Sequence, residues 1–174
     1  MSDRWDWIKE QDEGQFLERK GCYHRTKGKP VARPMKEVLQ DIAETLVAMA
    51  NADGGMVIAG LEDDGTPTGV PNQSDLRKAQ RQLTDYIRPT LTYRTKEIEL
   101  EGKKVWIFET DWSAQVHQLT DGRYLLRTGS QNLPFPARDI EAIKTSRRQR
   151  STEMQIQHVA TLNDLDFSLM DALR

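Results

Sequence analysis

The chain has 174 residues, 37% hydrophobic and 30% charged, enough for one domain of ordinary size with some extra chain but too little for two full domains. Its net charge of −2 excludes a uniformly basic nucleic-acid binder, so the distribution of charge matters more than its sum. It has no long apolar run, no signal-like start, one cysteine and three scattered histidines, so we expect a cytoplasmic protein without a membrane segment, disulfide or zinc site.

The N-terminal part holds a short lead-in, a first strand and a basic loop. Residues 1–12 are acidic and aromatic, and their tryptophans can pack one helical turn onto the domain. Residues 15–19 predict a short first strand. The following stretch to residue 36 contains glycines and prolines but no acidic residue, which predicts an irregular basic loop. Its cations are Arg19, Lys20, Arg25, Lys27, Lys29, Arg33 and Lys36.

A helix and a central strand follow the basic loop. From Met35 to Asn51, apolar residues recur at steps of one, three and four, which predicts a helix that buries one face. Gly54-Gly55 predicts a turn that ends this helix, with one glycine at positive φ and the other allowing the next strand to approach its neighbour. The continuous apolar run 56–61 predicts a buried strand, and Asp64-Gly65 predicts a hairpin turn. That turn places Glu62, Asp63 and Asp64 at one edge of the sheet.

The second half predicts further hairpins and helices. Ser74 is a candidate cap for a helix whose stripe is Leu76, Ala79, Leu83 and Ile87. Segments 92–100 and 103–110 predict a strong hairpin around Glu101-Gly102. Segments 116–119 and 123–127 predict another hairpin, followed by a turn at 128–132. A third helix is expected over 136–144.

These elements predict an α+β fold, with a mixed, largely antiparallel sheet and about three packed helices. We expect the domain to cover residues 13–148, after the lead-in of residues 1–12. Residues 149–174 are expected to form a polar linker and the start of a further helix at 162–173.

Three passages, in the same order, resemble motifs of the Schlafen/Alba-like (AlbA_2) domain family. The first is Glu13-Gly14-Gln15-Phe16-Leu17-Glu18-Arg19-Lys20, in which Arg19 stands where phenylalanine is usual. The second runs from Ala48 to Gly65 and contains Asn51, Gly54-Gly55 and the acidic turn. The third includes His117 and the segment from Tyr124 to Asn132. The resemblance covers roughly residues 13–145 and implies a nucleic-acid-binding domain, as in regulators or defence-type proteins.

The resemblance also implies a carboxylate site. In the Schlafen branch, where the fold is associated with RNA cleavage, the motif carboxylates fall on Glu13, Glu18 and Asp63 of this chain. Three converging carboxylates suit Mg²⁺ or Mn²⁺, which could activate water for metal-dependent endoribonuclease chemistry. The alternative is structural: Glu18 pairs with Arg127 or Lys20, and Asp63 is an ordinary turn residue.

For binding without catalysis, no cofactor is required and the candidates are cations. Lysine and arginine neutralise phosphates and give salt-dependent, mainly sequence-independent affinity. Arg127 is either a phosphate ligand or the partner of a motif glutamate. The alternative for the basic loop is that it is an ordinary solvated surface. A second basic cluster ends the predicted last helix, where the helix dipole favours cations whether or not they bind a ligand. It consists of Lys144, Arg147, Arg148 and Arg150. The nucleic-acid-binding candidates are Arg19, Lys20, Arg25, Lys27, Lys29, Arg33 and Arg127.

Other hypotheses receive less support from the sequence. No Gly-Lys-Ser/Thr follows a strand, so a P-loop is not predicted. We interpret His117 as a packed histidine, Trp106 as a core residue, and Trp112 as a candidate for stacking on a base. Outside nucleic acid, the alternative is a protein-interaction scaffold, and the family resemblance implies that a homodimer is one arrangement.

Overall fold

The computed structural model describes residues 5–24 and 28–159, without the side chains of residues 137 and 153–159. Two predicted features, the 162–173 helix and the cations Arg25 and Lys27, lie outside the described residues. The elements are α1 (Trp7–Glu10), β1 (Leu17–Lys20), β2 (Tyr23–His24), β3 (Val31–Ala32), α2 (Met35–Ala50), β4 (Gly54–Ala59), α3 (Leu76–Thr84), β5 (Ile87–Arg88), β6 (Arg94–Leu100), β7 (Lys103–Asp111), β8 (Gln118–Leu119), β9 (Leu125–Thr128), β10 (Gln131–Pro134), a 3-10 turn (Ala137–Asp139) and α4 (Ile140–Val159).

A four-stranded sheet in the order β1-β4-β7-β6 organises the fold. Strand β1 runs parallel to β4, and the β4–β7 and β7–β6 pairs are antiparallel. Successive residues of β4 alternate between faces, so Val57 joins the core on the α2 side and Ile58 joins the core that contains Ile8 of α1. Burial on both faces explains the continuous apolar run. The predicted α+β fold with a mixed, largely antiparallel sheet is confirmed.

Helix α2 is the main element packed on the sheet. Its apolar stripe is buried, including Leu39, Ile42 and Leu46, which are all fully inaccessible. Pro34 precedes the first helical residue, as the sequence predicted. The helix ends at Ala50, after which Asn51 begins the connection to β4.

Gly54 and Gly55 are the first residues of β4, so the predicted turn does not lie at these residues. The positive φ and the close approach of the strand that were predicted for this pair are confirmed. Gly54 has φ +84°, and a Cβ there would lie 2.7 Å from the carbonyl oxygen of Thr110 on β7. The residue therefore needs both a left-handed backbone and close approach to the neighbouring strand. The turn itself is made by Asn51, Ala52 and Asp53.

The predicted hairpin around Glu101-Gly102 is confirmed, since the whole of β6 pairs with the part of β7 from Lys103 to Glu109. The predicted hairpin between segments 116–119 and 123–127 is wrong. Strand β8 pairs with β5, placing Leu119 opposite Ile87, while β9 pairs with β10. Leu119 and Ile87 are both buried. Their contact favours pairing of β8 with β5 over pairing of β8 with β9, the next strand in the sequence. The turn expected at 128–132 is correspondingly shorter, because β10 begins at Gln131.

The helices of the second half also differ in detail from the prediction. Asp75, and not Ser74, caps α3, because its carboxylate accepts the backbone N–H of Lys78 at 2.8 Å. Ile87 lies in β5 and not in the helix. Residues 149–159 continue α4 where a polar linker was predicted. A polar helix without an apolar stripe is invisible to hydrophobic periodicity.

We expect Gly54→Ala to lower the free energy of unfolding by more than Gly122→Ala, measured by urea denaturation. The two glycines have similar φ values, +84° and +89°, but only Gly54 has atoms within 4 Å of the added methyl group. Backbone strain costs each variant about 1–3 kcal/mol, and the clash with β7 adds to the cost at Gly54. Equal losses would show that close approach to β7 does not constrain Gly54.

Candidate functional site

A buried ion pair joins the first strand to the third motif. Oε2 of Glu18 on β1 lies 2.6 Å from Nη2 of Arg127 on β9, and the two side chains are 10% and 0% exposed. Lys20 contacts the other oxygen of Glu18. Glu18 therefore pairs with both Arg127 and Lys20, the two partners that the sequence offered for a structural role.

Arg127 also holds two connections in place. Its guanidinium donates to the carbonyl oxygen of Gly14, at 3.0 Å from Nε and 2.7 Å from Nη2, and to Oδ1 of Asn132 at 2.8 Å. It thus links the segment before β1 to the β9–β10 ribbon. Because the side chain is inaccessible, its location does not suit the phosphate contact predicted from sequence.

Arg19 is likewise buried and fixes α1. Its guanidinium donates to the carbonyl oxygens of Ile8 and Asp63 at 2.9 and 3.0 Å, and also to those of Lys9 and Gln11. A side chain that is bonded in this way and 4% exposed is not a surface cation. The sequence spacing indicated this burial, because Leu17 and Arg19 are two residues apart and so lie on the same face of β1.

The three motif carboxylates do lie around one cavity. This carboxylate cavity, of about 470 Å³, is lined by Glu13, Glu18 and Asp63, with further residues of both charges. Those further charged residues are Arg19, Lys20, Arg33, Asp41 and Glu62. The family resemblance implied this grouping of the three carboxylates. Of the three, Glu18 is the one that pairs with Lys20 and Arg127.

Burial raises the pKa of Glu13 above its ordinary value. The backbone N–H of Arg19, which donates to Glu13 Oε1 at 2.7 Å, opposes this shift. The negative charges of Glu18 and Asp63 reinforce it. Glu13 is thus a carboxyl whose ionisation is disfavoured by its place in the fold.

The donor set does not fit the divalent ion that the resemblance implies. Both oxygens of Glu18 are engaged by cations, and one oxygen of Glu13 accepts a backbone N–H. Within residues 5–24 and 28–159, no group of three or more His, Cys, Asp or Glu side chains is arranged to hold a metal. The assignment of Mg²⁺ or Mn²⁺ to Glu13, Glu18 and Asp63 has no support in this geometry.

The remaining candidates of the basic loop differ in exposure. Lys29 is exposed, and Lys20 is held by Glu18. Arg33 is partly buried, with Nη2 2.7 Å from Asp41 Oδ2 and Nη1 3.2 Å from the Gly21 carbonyl oxygen. Arg33 is therefore fixed in position at the rim where the loop meets α2.

Beside Arg33 lies a second cavity, of about 500 Å³, which we call the cationic cavity. Its charged lining residues are Arg33, Lys36, Lys78 and Asp75. The backbone N–H of Lys78 lowers the pKa of Asp75, and the nearby Arg81 and Arg77 lower it further. The single carboxylate is thus committed to capping α3, and the surroundings are positive.

Sequence reasoning missed Lys78 as a candidate residue. Its signal was available, because the stripe Leu76, Ala79 and Leu83 leaves Lys78 on the outer face of the same helix. What the sequence does not reveal is that α3 packs beside the start of α2, which brings Lys78 and Lys36 to one cavity.

Asn51 and His117 form a structural network. Asn51 Nδ2 donates to the carbonyl oxygens of His117 and Leu125 at 2.7 and 3.0 Å, and its Oδ1 accepts the His117 N–H at 2.9 Å. His117 Nδ1 lies 2.9 Å from the Pro89 carbonyl oxygen, which only accepts, so Nε2 accepts from Ser113 Oγ at 2.8 Å. Burial lowers the pKa of this histidine. It is packed, as the sequence predicted.

Trp112, the predicted base-stacking residue, already has cationic partners. The guanidinium carbons of Arg150 and Arg147 lie 4.8 and 5.8 Å from its ring centroid. Arg147 is itself buried and donates to the carbonyl oxygens of Ser113 and Gln115 at 2.7 and 2.9 Å. These contacts attach α4 to the domain and place two guanidinium groups against the indole.

Arg127→Met is expected to lower the free energy of unfolding by about 3–5 kcal/mol, because it leaves the buried Glu18 carboxylate without this partner. Arg123→Met is the matched control, since Arg123 pairs with Glu44 and Asp121 at the surface and should cost at most about 1 kcal/mol. Urea denaturation measures both. Similar losses in the two variants would contradict the importance assigned to the buried pair.

Glu13→Gln is expected to stabilise the domain near neutral pH. Because the folded state raises the pKa of Glu13, the folded protein favours the protonated carboxyl. The wild type therefore loses stability as the pH rises above 4.5, the ordinary pKa of a glutamate. Glutamine keeps an oxygen for the Arg19 N–H but cannot ionise, so its advantage should shrink below about pH 4. Urea denaturation across this pH range gives the measurement, and a difference independent of pH would contradict the shift.

Among the described residues, no helix has both the length and the apolar character needed to cross a bilayer. No curated protein sequence matches the chain.

The fold is similar to that of the DIP2311 protein from Corynebacterium diphtheriae, with a TM-score of 0.59, 22% identity and coverage of 76% of this chain. The chain spans only about a quarter (24%) of that protein. It is also similar to the N-terminal domain of a RecG-related protein from Nitrosomonas europaea, with a TM-score of 0.43, 23% identity and coverage of 64% of this chain and 72% of that one. The model of the family described as Schlafen, AlbA_2 matches residues 13–136. The chain therefore belongs to the Schlafen AlbA_2 family.

Proposed function

We propose that this chain is a nucleic-acid-binding domain that holds phosphate groups at the cationic cavity. The observation that carries the proposal is the lining of that cavity, where Arg33, Lys36 and Lys78 meet a single carboxylate, Asp75. Membership of the Schlafen AlbA_2 family supports a role connected with nucleic acid.

The cavity suits phosphate because two of its cations are exposed and the third is held in position by hydrogen bonds. Lys36 and Lys78 are exposed, whereas Arg33 is held by Asp41 and the Gly21 carbonyl oxygen. Lys29, exposed on the β2–β3 connection, extends the same loop. Two exposed ammonium groups beside a fixed guanidinium can contact a phosphate backbone without reading its sequence.

This proposal narrows the candidates named from sequence. Arg19 and Arg127 are removed from the binding surface because their guanidinium groups are buried in protein contacts. Lys20 is committed to Glu18. Arg33 and Lys29 remain, and Lys36 and Lys78 join them, so the described binding surface uses α2 and α3 as well as the loop.

No specific observation among the described residues favours metal-dependent cleavage. The motif glutamates meet at one cavity, but cations and a backbone N–H already engage their oxygens. The homodimer and the interaction scaffold stay predictions from the sequence. Binding is therefore the function that the geometry supports best.

We expect Lys36→Gln/Lys78→Gln to weaken binding to DNA and RNA of any sequence, and to reduce the slope of log affinity against log salt by about two. Fluorescence anisotropy with labelled duplex and single strands over a salt series provides the measurement. The matched control is Lys96→Gln/Lys103→Gln, which removes two exposed lysines from the β6–β7 hairpin. It should leave the salt slope close to that of wild type.

Equal effects of the two double variants would show that net charge, and not the cationic cavity, governs binding. Affinity that does not fall with added salt would contradict a phosphate-binding surface. Cutting of the RNA probe with Mn²⁺ that is abolished by EDTA and by Glu13→Gln would overturn the choice of binding over cleavage.

A further inference from the structure

A groove between α4 and the β5–β8 ribbon is distinct from both cavities described above. Its volume is about 330 Å³, and its charged lining residues are Arg88, Lys144 and Arg148. The lining includes the aromatic ring of Tyr124 and the amide of Gln118, and it contains no carboxylate. We call this feature the α4 groove. Although the chain has a net charge of −2, every charged residue that lines this groove is a cation.

The walls of the α4 groove are fixed by contacts beneath them. Arg147, on the same helix as Lys144 and Arg148, donates to the carbonyl oxygens of Ser113 and Gln115. His117 bonds both Ser113 Oγ and the Pro89 carbonyl oxygen. These bonds tie α4, the segment before β8 and the end of β5 together, so the groove is a built part of the domain.

The cations of the α4 groove are suitably placed for an anion. The guanidinium of Arg88 is oriented by Nη1, which donates to the carbonyl oxygens of Ile87 and Thr84 at 2.8 and 3.1 Å. Arg148 is exposed one helical turn beyond Lys144. Lys144 pairs with Glu141 at 2.8 Å, but Glu141 is not among the lining residues.

The shape and the aromatic ring favour a single strand over a duplex. A site of this size lies at the small end of the range for small-ligand pockets, roughly 300–1,000 Å³, and so takes individual nucleotides. Tyr124 is half-buried and offers a surface for stacking, and Gln118 offers amide groups for hydrogen bonds. Bases are accessible for stacking only where they are unpaired.

We propose that the α4 groove binds single-stranded nucleic acid, with phosphates at Arg88, Lys144 and Arg148 and a base against Tyr124. This inference rests on the proposed function because it takes nucleic acid as the ligand. It uses different residues, so the two surfaces can be tested separately. The cationic cavity contacts phosphates of any strand, and the α4 groove adds preference for unpaired nucleotides.

The test compares labelled oligothymidylate, which does not pair with itself, with a duplex of equal length by fluorescence anisotropy. Tyr124→Leu is expected to weaken oligothymidylate binding by about fivefold or more, whereas Tyr124→Phe, which keeps the ring, should bind like wild type. Arg88→Gln/Arg148→Gln is expected to weaken it by about tenfold. Duplex affinity should change by less than about twofold in the tyrosine variants. Urea denaturation confirms that each variant is folded.

The outcomes separate this inference from the proposed function. Unchanged oligothymidylate binding in the groove variants, with loss in Lys36→Gln/Lys78→Gln, would overturn the groove and leave the cationic cavity. Loss in the groove variants alone would support the groove and reject the cavity. Equal losses for oligothymidylate and duplex in Tyr124→Leu would overturn the preference for single strands. Failure of the wild-type protein to bind either probe would overturn both proposals.

Discussion

The buried pair of Glu18 and Arg127 is the interaction on which the arrangement of the motifs depends. It connects the edge strand β1 to the β9–β10 ribbon, which does not belong to the central sheet. The same guanidinium bonds the Gly14 carbonyl oxygen and Asn132, so one side chain satisfies groups from three segments. An arginine suits this place because its planar fork donates several hydrogen bonds while remaining charged. Removing it would take donors away from the Glu18 carboxylate and from the carbonyl oxygens of Gly14 and Leu17 in the interior.

The basic residues of this chain perform two separate tasks. Arg19, Arg127 and Arg147 are buried and donate mainly to backbone carbonyl oxygens, so they hold α1, the β9–β10 ribbon and α4 on the domain. Exposed cations such as Lys36 and Lys78 then remain to face a ligand. A count of lysine and arginine therefore overstates the charge available for phosphate.

Local patterns predicted those parts of the fold whose partners are close in sequence. The periodicity of α2 and the turn at Glu101-Gly102 each contain the information that forms the element. The pairing of β8 with β5 could not be read in this way, because two-residue strands carry no usable pattern and their register depends on the buried contact between Leu119 and Ile87.

The same limit applies to the candidate site. The motif resemblance predicted that Glu13, Glu18 and Asp63 would meet, and they line one cavity. The sequence left open whether Arg127 pairs with Glu18 or contacts phosphate, and only the fold shows that the two pair. It did not reveal that Arg19 turns inward toward α1. Arginine is usually exposed, so its burial is decided by tertiary contacts and not by residue type.

Arg147 anchors α4 to the domain through the carbonyl oxygens of Ser113 and Gln115. The part of the helix after this residue extends about 18 Å at 1.5 Å per residue. Lys144 and Arg148, which line the α4 groove, lie within one helical turn of this anchor. The bonds that attach the helix therefore also set the spacing between these two cations and Arg88, so attachment of α4 and the shape of the groove have the same structural basis.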